Sequence, residues 1–179
     1  MKALLISINP EHALNILKGD KTRELRKSVP KDFVGWVYGY VTKGKPYITM
    51  QSKTQFTLRN DNGYTNVINA TIPFRFWFEE YEEVLVQHHI DSEQIERVLK
   101  QACIEHDDLD NYVGNKETIY AWHIKKLEIF DKPMGLGEFY TPNKDVENVG
   151  AFGWAFDYEP YIPLTKAPQS YQYVWVKGE

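Results

Sequence analysis

"LLISINPEHALNILKGDKTRELRK" (residues 4–27) sets a strand, a short helix and a charged strand end to end. Residues 2–8, "KALLISI", read as a buried strand that stops at a polar turn. Asn9 suits an N-cap and Pro10 the first helical position, where no amide hydrogen is missed. Ala13, Ile16 and Leu17 follow at helical spacing, and Gly19 stands where a left-handed C-cap belongs, so the helix covers about residues 10–18. Then "TRELRK" alternates. In a strand, Thr22, Glu24 and Arg26 share one face, and Arg23, Leu25 and Lys27 the other. Lys21, Glu24 and Arg26 thus follow closely after a glycine stop, a concentration of charge that an ordinary strand does not need.

Working outward, "VGWVYGYV" (34–41) is β-rich, and its glycines suggest curvature or the close approach of another backbone. Residues 47–86 mix β-branched and aromatic side chains, with "NDNG" (60–63) as the expected tip of a hairpin. Residues 91–106 form the clearest helix: Asp91 and Gln94 fit a capping box, and Ile95, Val98, Leu99 and Ala102 make a stripe. "DDLDNYVGN" is a further helical turn ended by Gly114, and residues 118–130 return to strand. "QSYQYVWV" (169–176) is a last strand with Tyr171, Tyr173 and Trp175 on one face. Strands do not alternate regularly with helices, and no glycine-rich phosphate loop follows a strand. A doubly wound parallel sheet is therefore disfavoured. The expected class is α+β: a mixed, curved sheet closing towards a barrel, with flanking helices and an inserted helical segment.

A chain of 179 residues is most simply one domain, here 1–179 with an insertion around 45–117. No segment approaches the roughly 20 apolar residues that span a bilayer. With neither that nor a signal-like start, a cytoplasmic location and no membrane partner are expected. Cys103 is alone, which rules out an internal disulfide and a cysteine-based zinc site. Neither a metal nor a cofactor is expected. The net charge of −4 is unevenly spread. Residues 1–60 carry eleven Lys/Arg against four Asp/Glu, and residues 79–117 carry three against twelve. The basic part suits phosphates, whereas the acidic insertion suits a protein partner.

The opening motif resembles that of the ASCH (activating signal cointegrator homology) domains, S-x-x-P followed by G-x-K-x-x-E-x-R. The match runs through Ser7, Pro10, Gly19, Lys21, Glu24 and Arg26. "YAWHIKKLEIFDKP" (120–133) and "APQSYQYV" (167–174) resemble later blocks of the same family, in the right order. The resemblance implies a PUA-like fold with a cleft beside the first helix, and binding of RNA, a nucleotide or a nucleoside. It also implies two enzymatic alternatives, an amidohydrolase acting on acetylcytidine and a ribonuclease-like branch.

Within that expectation, the binding set is Ser7, Asn9, Lys21, Glu24, Arg26, Gln169 and Ser170. Lys21 is expected to point freely into the cleft. Arg26 can make planar bidentate bonds, and Glu24 can orient it, accept a proton or act as a base. If the protein is an enzyme, Lys21 and Glu24 are its acid/base pair. The plain alternative is a Glu24–Arg26 pair that only braces the fold. The amidohydrolase relatives carry a Thr where this chain has Glu24, so Lys21 is carried over but their activity is not. A third reading is an interaction module that has lost its ligand.

Weaker candidates are His12, which either lines the cleft or is merely exposed, His123, and the adjacent His88 and His89. Trp36, Tyr38, Trp122, Trp154 and Tyr171 read mainly as core. Lys21 and Arg26 are expected at the cleft rather than in the core, so that Ala variants would spare the fold. The strands 22–27 and 171–176 are expected in one sheet.

Overall fold

The computed structural model describes residues 1–61, 63–86, 92–143 and 160–176; His88, His89, Asp91 and Trp154 lie outside these. Its frame starts with β1 (Lys2–Ile8), α1 (Pro10–Lys18), β2 (Arg23–Arg26) and β3 (Gly35–Val41). Next come β4 (Tyr47–Ser52), β5 (Gln55–Arg59), β6 (Ile72–Phe78) and β7 (Tyr81–Leu85). Helices α2 (Ser92–Ala102) and α3 (His106–Val113) precede β8 (Thr118–His123) and β9 (Lys125–Met134). Strands β10 (Phe139–Pro142), β11 (Tyr161–Pro163) and β12 (Tyr171–Val176) complete it.

Seven strands form one mixed sheet in the order β11-β10-β12-β1-β3-β6-β9. β1 and β3 run parallel, and β1 pairs antiparallel with β12. The alternation of β1 explains why it reads as buried throughout. Leu4, Ile6 and Ile8 pack on the same side as Ala13, Leu14, Ile16 and Leu17 of α1. Ala3 and Leu5 meet Tyr38, Phe139 and Val174 in a second core. Gly39 is required by crowding: a Cβ there would sit inside the Phe74 ring. The close neighbour is thus a side chain and not another backbone.

A smaller sheet, β2-β8-β7, carries the stripe of α2, with Ile95, Val98, Leu99 and Ala102 buried against Leu25, Val84 and Ile119. The chain passes between the large and small sheets at β6–β7 and again at β8–β9, each time through a one- or two-residue link. The paired ribbon β6–β9 therefore continues into the small sheet as β7–β8.

Two expectations are corrected here. β2 and β12 lie in different sheets, and no backbone ladder closes a barrel between them. Arg26 reaches across that opening instead, donating from Nη1 to the Ser170 carbonyl at 3.2 Å and from Nη2 to the Ser7 carbonyl at 2.9 Å. The hairpin tip also differs. β4 and β5 pair and turn at Lys53–Thr54, so residues 60–63 follow the hairpin rather than cap it. Finally, Gln94 donates to Glu82 at 2.9 Å, while its supposed capping partner Asp91 lies outside the described residues.

Candidate functional site

The opening between β2 and the β1–β12 pair is the cleft. It encloses about 240 Å³ and is walled by Ser7, Asn9 and His12 on one side, Lys21, Glu24 and Arg26 on the floor, and Asp108, Tyr112 and Gln169 at the mouth. β1 delivers Ser7 at its carboxyl end, and the turn into α1 delivers Asn9 and, one helical turn on, His12. Asn9 occupies the N-cap position in extended conformation but makes no side-chain cap bond. Its amide is consequently left to the cleft. Gly19, at φ 80°, ends α1 in the left-handed conformation and turns the chain towards Lys21.

Lys21 is 2% exposed and Arg26 6%. Both belong to the core as well as to the cleft, which corrects the expectation that they stand at the cleft rather than in the core. Lys21 is no free cation either. Its Nζ donates to the Ala102 carbonyl at the end of α2 (2.6 Å) and stands 3.5 Å from Glu24. Glu24 also accepts Arg26 Nη2 at 2.8 Å. Burial alone would raise the Glu24 pKa, but the neighbouring Arg26 and Lys21 charges outweigh it and hold the carboxyl below its ordinary value. Burial lowers Lys21. Removing such a lysine, carboxylate and arginine from water is tolerable only because each cation faces Glu24 and a backbone carbonyl.

Burial and the Lys21 charge push the His12 pKa down. Its Nδ1 is buried without a partner, so a proton there would have no acceptor. Among the charged walls, Lys21 and Arg26 are matched by Glu24 and Asp108, and the formal charge of the cleft is zero. This arrangement presents fixed polar atoms at low net charge, with an aromatic ring at the mouth.

Of the seven residues expected to bind, five besides Ser7 line the cleft: Asn9, Lys21, Glu24, Arg26 and Gln169. Ser7 also lines the cleft, but its hydroxyl donates to the Pro168 carbonyl at 2.6 Å. Ser170 enters through its carbonyl alone, as the acceptor for Arg26. His123 sits elsewhere, 3.1 Å from Glu80. Of the candidate aromatic residues, Trp36, Tyr38, Trp122 and Tyr171 are absent from the cleft wall. The aromatic wall is Tyr112 of α3, whose hydroxyl donates to the Leu25 carbonyl at 3.2 Å. Sequence reading missed Asp108 and Tyr112. The available signal was their spacing, because Leu109 and Val113 turn inward and leave residues 108 and 112 together on the adjoining helix face.

No family model and no curated protein matches the sequence. Solved structures do match. The ASCH protein of Zymomonas mobilis superposes with a TM-score of 0.55 at 16% identity, over 98% of this chain and 88% of that one. A Tyr-to-Phe variant of it gives 0.56 at 16% identity, over 99% and 92%. A Ser-to-Ala variant gives 0.55 at 16%, over 98% and 89%. The chain thus has the fold of an ASCH domain, the one that its terminal motifs resemble.

Proposed function

We propose that this is a single-domain ASCH protein that binds RNA or a nucleotide by seating one base in the cleft. The observation that carries the reading is the charge-balanced cleft beside Tyr112. Its volume is below the roughly 300–1,000 Å³ of sites for drug-sized ligands and suits one small planar ring. Tyr112, which has the Lys27 ammonium over its ring 5.0 Å from the centroid, is the ring on which a base would stack, worth about 1–3 kcal/mol per base. Asn9, Gln169, His12 and Asp108 supply donors and acceptors for a base edge, and the Lys21–Glu24–Arg26 cluster forms a rigid floor beneath them. The setting is cytoplasmic.

Titration of purified protein with ribonucleosides and with a single-stranded RNA octamer tests this. Tyr112→Ala should weaken both by at least about fivefold while Tyr112→Phe retains binding, because the ring and not the hydroxyl stacks. Equal affinity of wild type and Tyr112→Ala would remove the base from the cleft. Absence of any binding would leave the acidic residues 79–117, with a protein partner, as the better reading.

Hydrolysis of acetylcytidine is not expected. An amidohydrolase must activate a nucleophile and protonate the leaving amine. Glu24 is a weakened base because Arg26 and Lys21 hold its proton off. The Lys21 ammonium is already committed to Ala102 and Glu24. Incubation with acetylcytidine, followed by chromatography, should show no cytidine. Turnover abolished by Lys21→Met in a folded variant would make the hydrolase reading the leading one, with Lys21 and Glu24 as its acid/base pair.

A further inference from the structure

A second groove, of about 400 Å³, meets the cleft along a shared wall made by Ser7 and Gln169. Its lining also includes Lys43 and Lys166, with their chain neighbours Thr42 and Thr165. Both lysines are exposed, and neither is within ion-pair distance of a described carboxylate. The contrast with the cleft is the informative point. In the cleft each cation is buried against Glu24 and a carbonyl, so a phosphate entering there would meet a carboxylate and no spare cation. One wall further on, two lysines share a groove with the hydroxyl-bearing Thr42 and Thr165 and with no acidic residue in its lining.

The fold explains the adjacency. β1 and β3 run parallel, and their carboxyl ends lie side by side, with the Thr42 amide donating to the Ile8 carbonyl at 2.9 Å. The chain leaving β1 turns into α1 and forms the cleft, whereas the chain leaving β3 carries Thr42 and Lys43 into the second groove. Residues 165–169, leading into β12, line the second groove, and the last of them, Gln169, also lines the cleft.

We infer that the groove of Lys43 and Lys166 is a phosphate subsite, taking the backbone of the ligand whose base occupies the cleft. Gln169, exposed on the shared wall, stands where base and phosphate parts join. The inference rests on the nucleobase reading of the cleft and divides the ligand into an uncharged part and an anionic part held by different residues. The phosphate belongs either to a mononucleotide or to the strand of an RNA, and the experiment separates these.

Binding of a ribonucleoside, its 5′- and 3′-monophosphates and a single-stranded RNA octamer is measured across a salt series for wild type and the Lys43→Gln/Lys166→Gln double variant. Nucleoside affinity should be the same in both proteins. Octamer affinity at low salt should drop, and the slope of log affinity against log salt should shrink by about 1.4, which is two phosphate contacts on a single strand. A matching loss for either monophosphate identifies a mononucleotide as sufficient; a loss confined to the octamer identifies the strand. An unchanged slope in the double variant, with Tyr112→Ala still weakening the nucleoside, overturns the subsite and spares the cleft. Tyr112→Ala without effect on any ligand overturns both.

Discussion

Glu24 stands between two buried cations, and that position sets what its loss must do. Glu24→Gln leaves Lys21 and Arg26 out of water without their counter-charge, so the expected cost is about 3–5 kcal/mol, read from urea denaturation. The same carboxyl makes the fold acid-sensitive. Its pKa is below the ordinary 4.5, so as pH falls the unfolded chain takes up the proton first. The stability it contributes is complete above about pH 4.5 and is lost as pH falls through the folded value. His12 acts in the same direction at higher pH. Its value is below the ordinary 6.5, through burial and Lys21, so its contribution is complete above about pH 6.5 and declines below. Glu24 and Asp108 face the ring too, as does Glu11 of its own helix, and they oppose the shift without reversing it. Urea midpoints should therefore fall from about pH 7.5 to about pH 5, and His12→Gln should flatten that part of the profile. A midpoint independent of pH in the wild type would contradict the neutral ring.

At the scale of elements, two glycines show how differently the same residue is demanded. Gly19 has open space around it, and only its φ of 80° resists a side chain. Gly19→Ala should cost about 1 kcal/mol, through the backbone. Gly39 is met by the Phe74 ring. Gly39→Ala must displace that ring and should cost about 1–3 kcal/mol as overpacking. Thermal denaturation of both variants, with Gly39→Ala/Phe74→Leu as a third, distinguishes the mechanisms: the smaller side chain should recover stability only where crowding was the cause. The elements themselves were largely legible. β1, α1, β3, α2 and β12 follow from apolar periodicity, a proline at N1 and a glycine stop, all of which act within a few residues. The hairpin tip was misplaced because "NDNG" is a turn signal wherever it falls, and pairing of β4 with β5 is decided by partners it does not contain. Lys21, Glu24 and Arg26 could be picked out as a group; that Lys21 would grip the end of α2 could not, since its acceptor is a backbone carbonyl 81 residues away.

On the scale of the whole molecule, charge is divided as the sequence divides it, and the cleft lies where the two parts meet. The floor comes from the basic amino-terminal third, and Asp108 and Tyr112 from the acidic stretch. The Thr22 amide donates to the Gln101 carbonyl at 2.8 Å and Lys21 to its neighbour Ala102, so α2 is fastened to the cleft floor at two successive residues. Residues 45–117 contribute β6, between β3 and β9, as well as the helices that roof the site.

The Arg26 guanidinium spans the gap between β2 and β12, and this fixes an order in time. The charged motif is complete at Arg26, yet its acceptor at Ser170 is made 144 residues later. Until then Arg26 has only Ser7 of β1 and Glu24 as partners, and β1 lacks its β12 neighbour. The binding competence therefore arrives only after β12 has been made. A product ending before Pro168 carries the motif without the site, and RNA titration of that product should give no cleft-dependent binding.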